Sequence, residues 1–191
     1  MKTIRISKAP IFKVLFLLIF TICFSSCGKK NQQTNSFKKE AFNKSNNEEL
    51  ENSFFIEMGN VMNSMISKSQ VAQQKSSDSK IVEVSKKIAD HQNQLLQQVT
   101  EMANKKLIII TDINAAHKEE LTALSTTTGS NFNDAYLSSM TTALDQQIKL
   151  FEHISKRTND QLILKLVLQY LPEQYQLLRE TEQIKIKNEF Y

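Results

Sequence analysis

Glycine and proline are scarce in this chain of 191 residues, which has three of the first and two of the second. Strands and tight turns depend on that punctuation, so its absence argues against a β-rich fold. Cysteine is just as rare. Cys23 and Cys27 both lie near the N-terminus, which leaves the rest of the chain with no disulfide, thiol nucleophile or cysteine metal site. There is no glycine-rich phosphate loop, no Gly-x-Ser-x-Gly elbow and no pair of carboxylates in a hydrophobic setting, so the sequence offers no catalytic motif. Long apolar runs are missing too. The run Val14 to Cys23 falls well short of the roughly 20 residues a helix needs to cross a bilayer.

What surrounds that short run gives it a meaning. Lys2, Arg5, Lys8 and Lys13 precede it without a single acid, and Ser25 and Ser26 supply small residues at its end, the three-part layout of an export signal. Phe24-Ser25-Ser26-Cys27 reads as the lipobox of a bacterial lipoprotein, with Phe24 where leucine is usual. The expectation is a signal peptide over residues 1–26 and a mature chain that begins at Cys27, acylated with palmitate among other chains and thereby anchored to a membrane. Gly28 and Lys29-Lys30 form neither an acidic retention cue nor an acidic surface-export patch. That predicts an outer-membrane lipoprotein facing the periplasm.

Cleavage changes the charge balance. It removes four of the 24 cations, leaving 20 against 20 acids, so the basic character of the chain belongs to its leader. Residues 27–47 carry Lys29, Lys30, Lys38, Lys39 and Lys44 against Glu40, in a setting rich in Asn, Gln and Ser. This segment reads as a flexible, basic tether suited to anionic head groups. The body beyond it is slightly acidic, which excludes nucleic-acid binding by counterion release.

In residues 48–188 the apolar residues recur three and four apart. Leu50, Phe54, Met58, Val61, Met62, Met65, Ile66 and Ala72 predict a first helix over 48–75, and Ser76-Ser77-Asp78 ends it and caps the next. Ile81, Val84, Ile88, His91, Leu95, Val99 and Met102 predict a second over 78–105. After the β-branched stretch 107–111 comes a short helix near 114–124. A third long helix over 131–156 and a fourth over 160–187 complete the set, with Pro172 expected to kink the last. The fold class predicted is all-α, a four-helix bundle with a short extra helix between the second and third long ones.

Several motifs carry a family likeness. Asp90-His91 on the second helix, Phe132, Ala135 and Tyr136 opening the third, Leu150-Phe151-Glu152 along it and Leu171-Pro172 in the fourth stand in a shared order. Together they resemble an exported bacterial family catalogued as domain of unknown function four-one-four-two, over roughly residues 54–184. The resemblance implies a ferritin-like bundle in the envelope, with no established activity. It also implies further histidines that this chain lacks: Ala143-Leu144 stand where similar members carry a second Asp-His, and Leu177 where they carry another His.

Counting ligands leads the same way. A di-iron bundle draws a carboxylate from each of two helices and Glu-x-x-His from each of the other two. Here Ile88, Asn114 and Leu150 stand three residues before His91, His117 and His153, and the first helix has no acid between Glu57 and Asp78. No metal or cofactor site is therefore expected. His91, on an apolar stripe, is expected to be a core histidine bonded to Gln147 or Tyr170, or the relict of a polar site with Asp90, Gln147 and Gln174. His117 reads as solvated, His153 as a helix C-terminal charge, and Met58, Met62 and Met65 as core filling.

Two function classes are consistent with these features. One is a non-catalytic envelope lipoprotein whose bundle binds a small ligand or another envelope protein, or serves structurally. The other is a metal-handling or stress-protective ferritin-like protein with a degenerate site. Dimerisation through an exposed apolar strip is a minor third.

Overall fold

The structure is a computed structural model that describes the backbone of residues 33–189 and the side chains of residues 46–188. Cys27, the signal segment and the start of the tether lie outside the described residues. The chain divides into two units, Met1–Ser45 and Asn46–Tyr191, and the helical core belongs to the second.

The described residues hold five helices and no strand: α1 Gln33–Lys75, α2 Ser79–Lys105, α3 Ala115–Thr126, α4 Ser130–Ser155 and α5 Gln161–Glu189. This is the all-α bundle expected, with α3 as the short extra helix. One boundary differs. Helix begins at Gln33 rather than near Glu48, inside the segment read as a flexible tether. That segment has no apolar period, but it carries several Lys and two Gln, which favour helix, and contains no Gly or Pro beyond Gly28 to stop one.

The helix ends reflect local chemistry. Asp78 Oδ1 accepts from Lys80 N at 2.8 Å and Asn114 Oδ1 from His117 N at 3.0 Å, each satisfying an orphan donor of the first turn. Gly129, before α4, has φ 65°, a conformation that suits glycine. The end of α2 is less usual. Ile108 N donates to Ala103 O and Leu107 N to Asn104 O, the two bonds of a Schellman motif, and the left-handed position is taken by Leu107 with φ 61°. The β-branched stretch 107–111 is thus a helix terminator and loop that turns buried Ile108 into the core. Helix α5 continues through Pro172 without ending. The bond that proline deletes ends at exposed Leu168, where water can replace it.

Contacts at the two ends give the topology. At one end Lys106 bridges Glu51 at 2.8 Å and Asp160 at 2.7 Å, joining the start of the packed part of α1, the end of α2 and the start of α5. At the other, Lys75 Nζ donates to Thr127 O at 2.7 Å, Ser76 Oγ to Asn133 Oδ1 at 2.9 Å and Lys87 to Glu180 at 2.6 Å. Helices α1 and α5 therefore run parallel, opposite to α2, while α4 starts at the end where α1 finishes and so also runs opposite to α1. The connection from α2 to α4 must travel the length of the bundle, and α3 lies on that crossover.

The core falls into two apolar clusters. One gathers Phe54, Phe55, Leu95, Phe151 and Ile163 near the Lys106 end; the other gathers Met65, Ile88, Phe132, Tyr136 and Leu144. Met58, Met62 and Met65 are all fully buried in these clusters. Among the described residues no helix is long and apolar enough to cross a membrane.

Candidate functional site

Between the two clusters sits a layer of polar side chains. Gln92 and Gln147, both inaccessible to solvent, face each other across α2 and α4 as a reciprocal amide pair: Gln92 Nε2 donates to Gln147 Oε1 at 2.9 Å and Gln147 Nε2 to Gln92 Oε1 at 2.8 Å. Each amide has donors to spare. Gln147 uses one on Met58 Sδ at 3.6 Å, and Gln92 one on Gln174 Oε1 at 3.4 Å. Gln174 in turn donates to His91 Nε2 at 3.0 Å. His91 Nδ1 lies 3.2 Å from Glu173 Oε2, so the neutral ring carries its proton on Nδ1, donates to the carboxylate and accepts from the amide. Tyr170 meets the ring edge-on at 5.5 Å.

This layer brings together three of the four residues singled out in the sequence. His91, Gln147 and Gln174 belong to it, while Asp90 is exposed and stands outside. The cause is helical geometry. Ile88, His91, Gln92 and Leu95 share the inward face at three- and four-residue spacing, and Asp90 falls roughly 100° or more away from that face. Gln92 and Glu173 are members that residue spacing did not reveal. Gln92 broke no visible pattern, because a polar residue beside a stripe is ordinary.

Burial disfavours the charged imidazole and pulls the His91 pKa below 6.5, although Glu173 opposes the shift. The buried part of the layer is amides and a neutral imidazole bonded to one another, and its one carboxylate, Glu173, stands at the exposed edge. Among the described residues no three His, Cys, Asp or Glu side chains gather as a metal group. Leu144 and Leu177, where the sequence resemblance implied histidines, are buried in the second apolar cluster.

A second polar site lies off the axis, where α1, α3 and α4 line an open pocket of about 420 Å³. Lys68, only 2 % exposed, donates from Nζ to Glu120 Oε2 at 2.6 Å and to Ser139 Oγ at 2.8 Å. Hydrogen bonding from Lys68 is the main cause that lowers the Glu120 pKa, and His117 Nδ1, 3.4 Å from the same oxygen, adds to it. His117 is thus half-buried against this cavity rather than freely solvated. One helical turn before Lys68 is Ser64, whose Oγ is the one buried side-chain polar atom among the described residues without a partner. Ala123, Leu124, Ala135 and Ala143 supply the apolar wall. No sequence signal pointed here, since Lys68 and Glu120 are 52 residues apart and each is an ordinary charge on a helix.

Residues 42–184 match the family described as "Domain of unknown function (DUF4142)". The chain belongs to this family. The match covers the bundle and agrees with the likeness carried by Asp90-His91, Phe132, Tyr136 and Leu171-Pro172. Among solved structures, a DUF305 fragment from Deinococcus radiodurans is similar, with a TM-score of 0.64 at 14 % identity over 72 % of this chain and 96 % of that one. Likeness at that identity shows a shared helical-bundle fold. No curated protein matches.

Proposed function

We propose that this chain is an acylated lipoprotein of the bacterial envelope, held through Cys27 at the periplasmic face of the outer membrane, whose bundle is a non-catalytic binding module. The observation that supports binding is the open pocket at Lys68, where Lys68, almost inaccessible and charged, and Ser64, its hydroxyl without a partner, are among the residues lining a space of about 420 Å³. That size lies within the range of about 300–1000 Å³ typical of small-molecule sites. The non-catalytic reading is supported by the central layer. Its amides are bonded within the layer and its histidine is tied at both nitrogens, so it presents no free nucleophile or base. The anchor is supported by the cation-rich leader, the short apolar run and Ser25-Ser26-Cys27.

Growth with a palmitate analogue tests the anchor, because the wild-type chain should take up label and a Cys27→Ser chain should not. Protease added to intact cells should leave the protein whole. Label on the Cys27→Ser chain, or cleavage on intact cells, would contradict the placement. Metal analysis of the purified full chain after exposure to iron or zinc separates binding module from metal handler. Near-stoichiometric metal that disappears with His91→Ala would favour the second.

A further inference from the structure

We infer that the Lys68 cavity is a site for a small carboxylate with a short aliphatic tail, and that Glu120 occupies the carboxylate's position in the empty protein. This deepens the binding-module reading and rests on it. A buried ammonium demands an anion, because an unpaired charge in a low-dielectric setting is strongly disfavoured. The anion it has comes from α3. That helix buries only Leu124, and the Glu120 side chain remains 56 % exposed. Lys68 is fixed in the fold, whereas Glu120 reaches in from a lightly held helix and regains full hydration by swinging outward. An incoming carboxylate can therefore replace it without leaving the Lys68 charge bare.

The remaining donors fit a carboxylate. An ammonium carries three N–H groups, and Glu120 and Ser139 take two of those on Lys68. Ser64 lies four residues earlier on the same helical face. Ser64 lines the cavity, and its hydroxyl is buried without a partner, so it can donate to the second oxygen of a ligand that displaces Glu120. A saturated protein interior rarely leaves such a group orphaned, and each exception calls for a cause. Past this polar end Ala123, Leu124, Ala135 and Ala143 give small apolar surface that suits a few methylene groups, with Thr127, Thr142 and Gln146 beside it and no second cation but the His117 ring among the lining residues.

The test uses butyrate, 1-butanol and butylamine as probes, titrated into the full chain in detergent and followed by ligand-observed NMR. Butyrate should bind saturably, and the uncharged and cationic probes should not. Ser64→Ala should weaken butyrate binding by about threefold to tenfold, the effect of one hydrogen bond, and Lys68→Met by at least about tenfold. Glu120→Gln should tighten it by about threefold or more, since it removes the competing charge while keeping the fold's polar contact. That gain is the discriminating result, because a merely structural Lys68–Glu120 pair would give loss or no change. Equal binding of butyrate by Ser64→Ala and wild type, or no gain with Glu120→Gln, overturns the assignment. If butanol or butylamine binds instead and Ser64→Ala weakens it, the carboxylate class fails while the binding module stands. If none of the three binds, both fail.

Discussion

Gln92 and Gln147 close a two-bond amide ring at the centre of the bundle, 2.9 and 2.8 Å, where the two apolar clusters meet. Each satisfies the other, so removing one exposes the second. Gln147→Leu should destabilise the fold by about 1–3 kcal/mol, the cost of a buried polar group left unmatched. Leucine at both positions should cost less than the sum of the single changes, with a coupling of about 1 kcal/mol or more in a urea-unfolding cycle. Strict additivity would mean that the pair is not a unit.

His91 makes stability depend on pH. In the unfolded chain it takes up a proton near pH 6.5, while in the folded protein burial holds its pKa lower. The unfolded state therefore binds more protons in that range, and stability must rise with pH. Its contribution is complete above the unfolded value and is lost as pH falls from about 6.5 towards the lower folded value. The urea midpoint of the wild type should be lower at about pH 5.5 than at about pH 7.5, on either side of the unfolded imidazole's pKa. His91→Gln should flatten that dependence, and an unchanged slope would remove His91 as its source.

Leu107 occupies the left-handed position of the α2 terminator with its side chain 92 % exposed. A β-carbon there costs about 1 kcal/mol, and the leucine gains no burial in return. Leu107→Gly should raise stability by about 0.5–1 kcal/mol in thermal or urea unfolding. A loss would show that the turn draws support from leucine that its exposure does not reveal.

Gly59 is required for a different reason. A β-carbon at this position would crowd Ile110 Cγ2 far inside van der Waals contact, and a β-branched side chain has little freedom to move aside. Gly59→Ala should therefore destabilise by about 1–2 kcal/mol despite the better helix propensity of alanine. Ile110→Ala in the same chain should recover most of that loss. If the double variant is no better than the single, the close approach is not the cause.

Much of this molecule is written in its residue spacing. Stripes such as Ile81-Val84-Ile88-His91-Leu95 define a helix and its inward face, because 3.6 residues per turn convert sequence distance into direction. The shortage of glycine and proline argued against strands, and the Ser76-Ser77-Asp78 break located the first connection. His91, Gln147 and Gln174 stood out for the same reason: polar groups on apolar stripes. Periodicity fixes only the face of a helix. It does not fix which turn of one helix meets which turn of another, so the Gln92–Gln147 ring, the exclusion of Asp90 and the Lys68–Glu120–Ser139 contact emerged only from the packed bundle. Those pairings depend on the crossover that carries α3 along the bundle, and on the depth at which four helices come to rest against one another. Helix and face are local properties, set within a few turns. The partners of a buried charge are a property of the assembled fold.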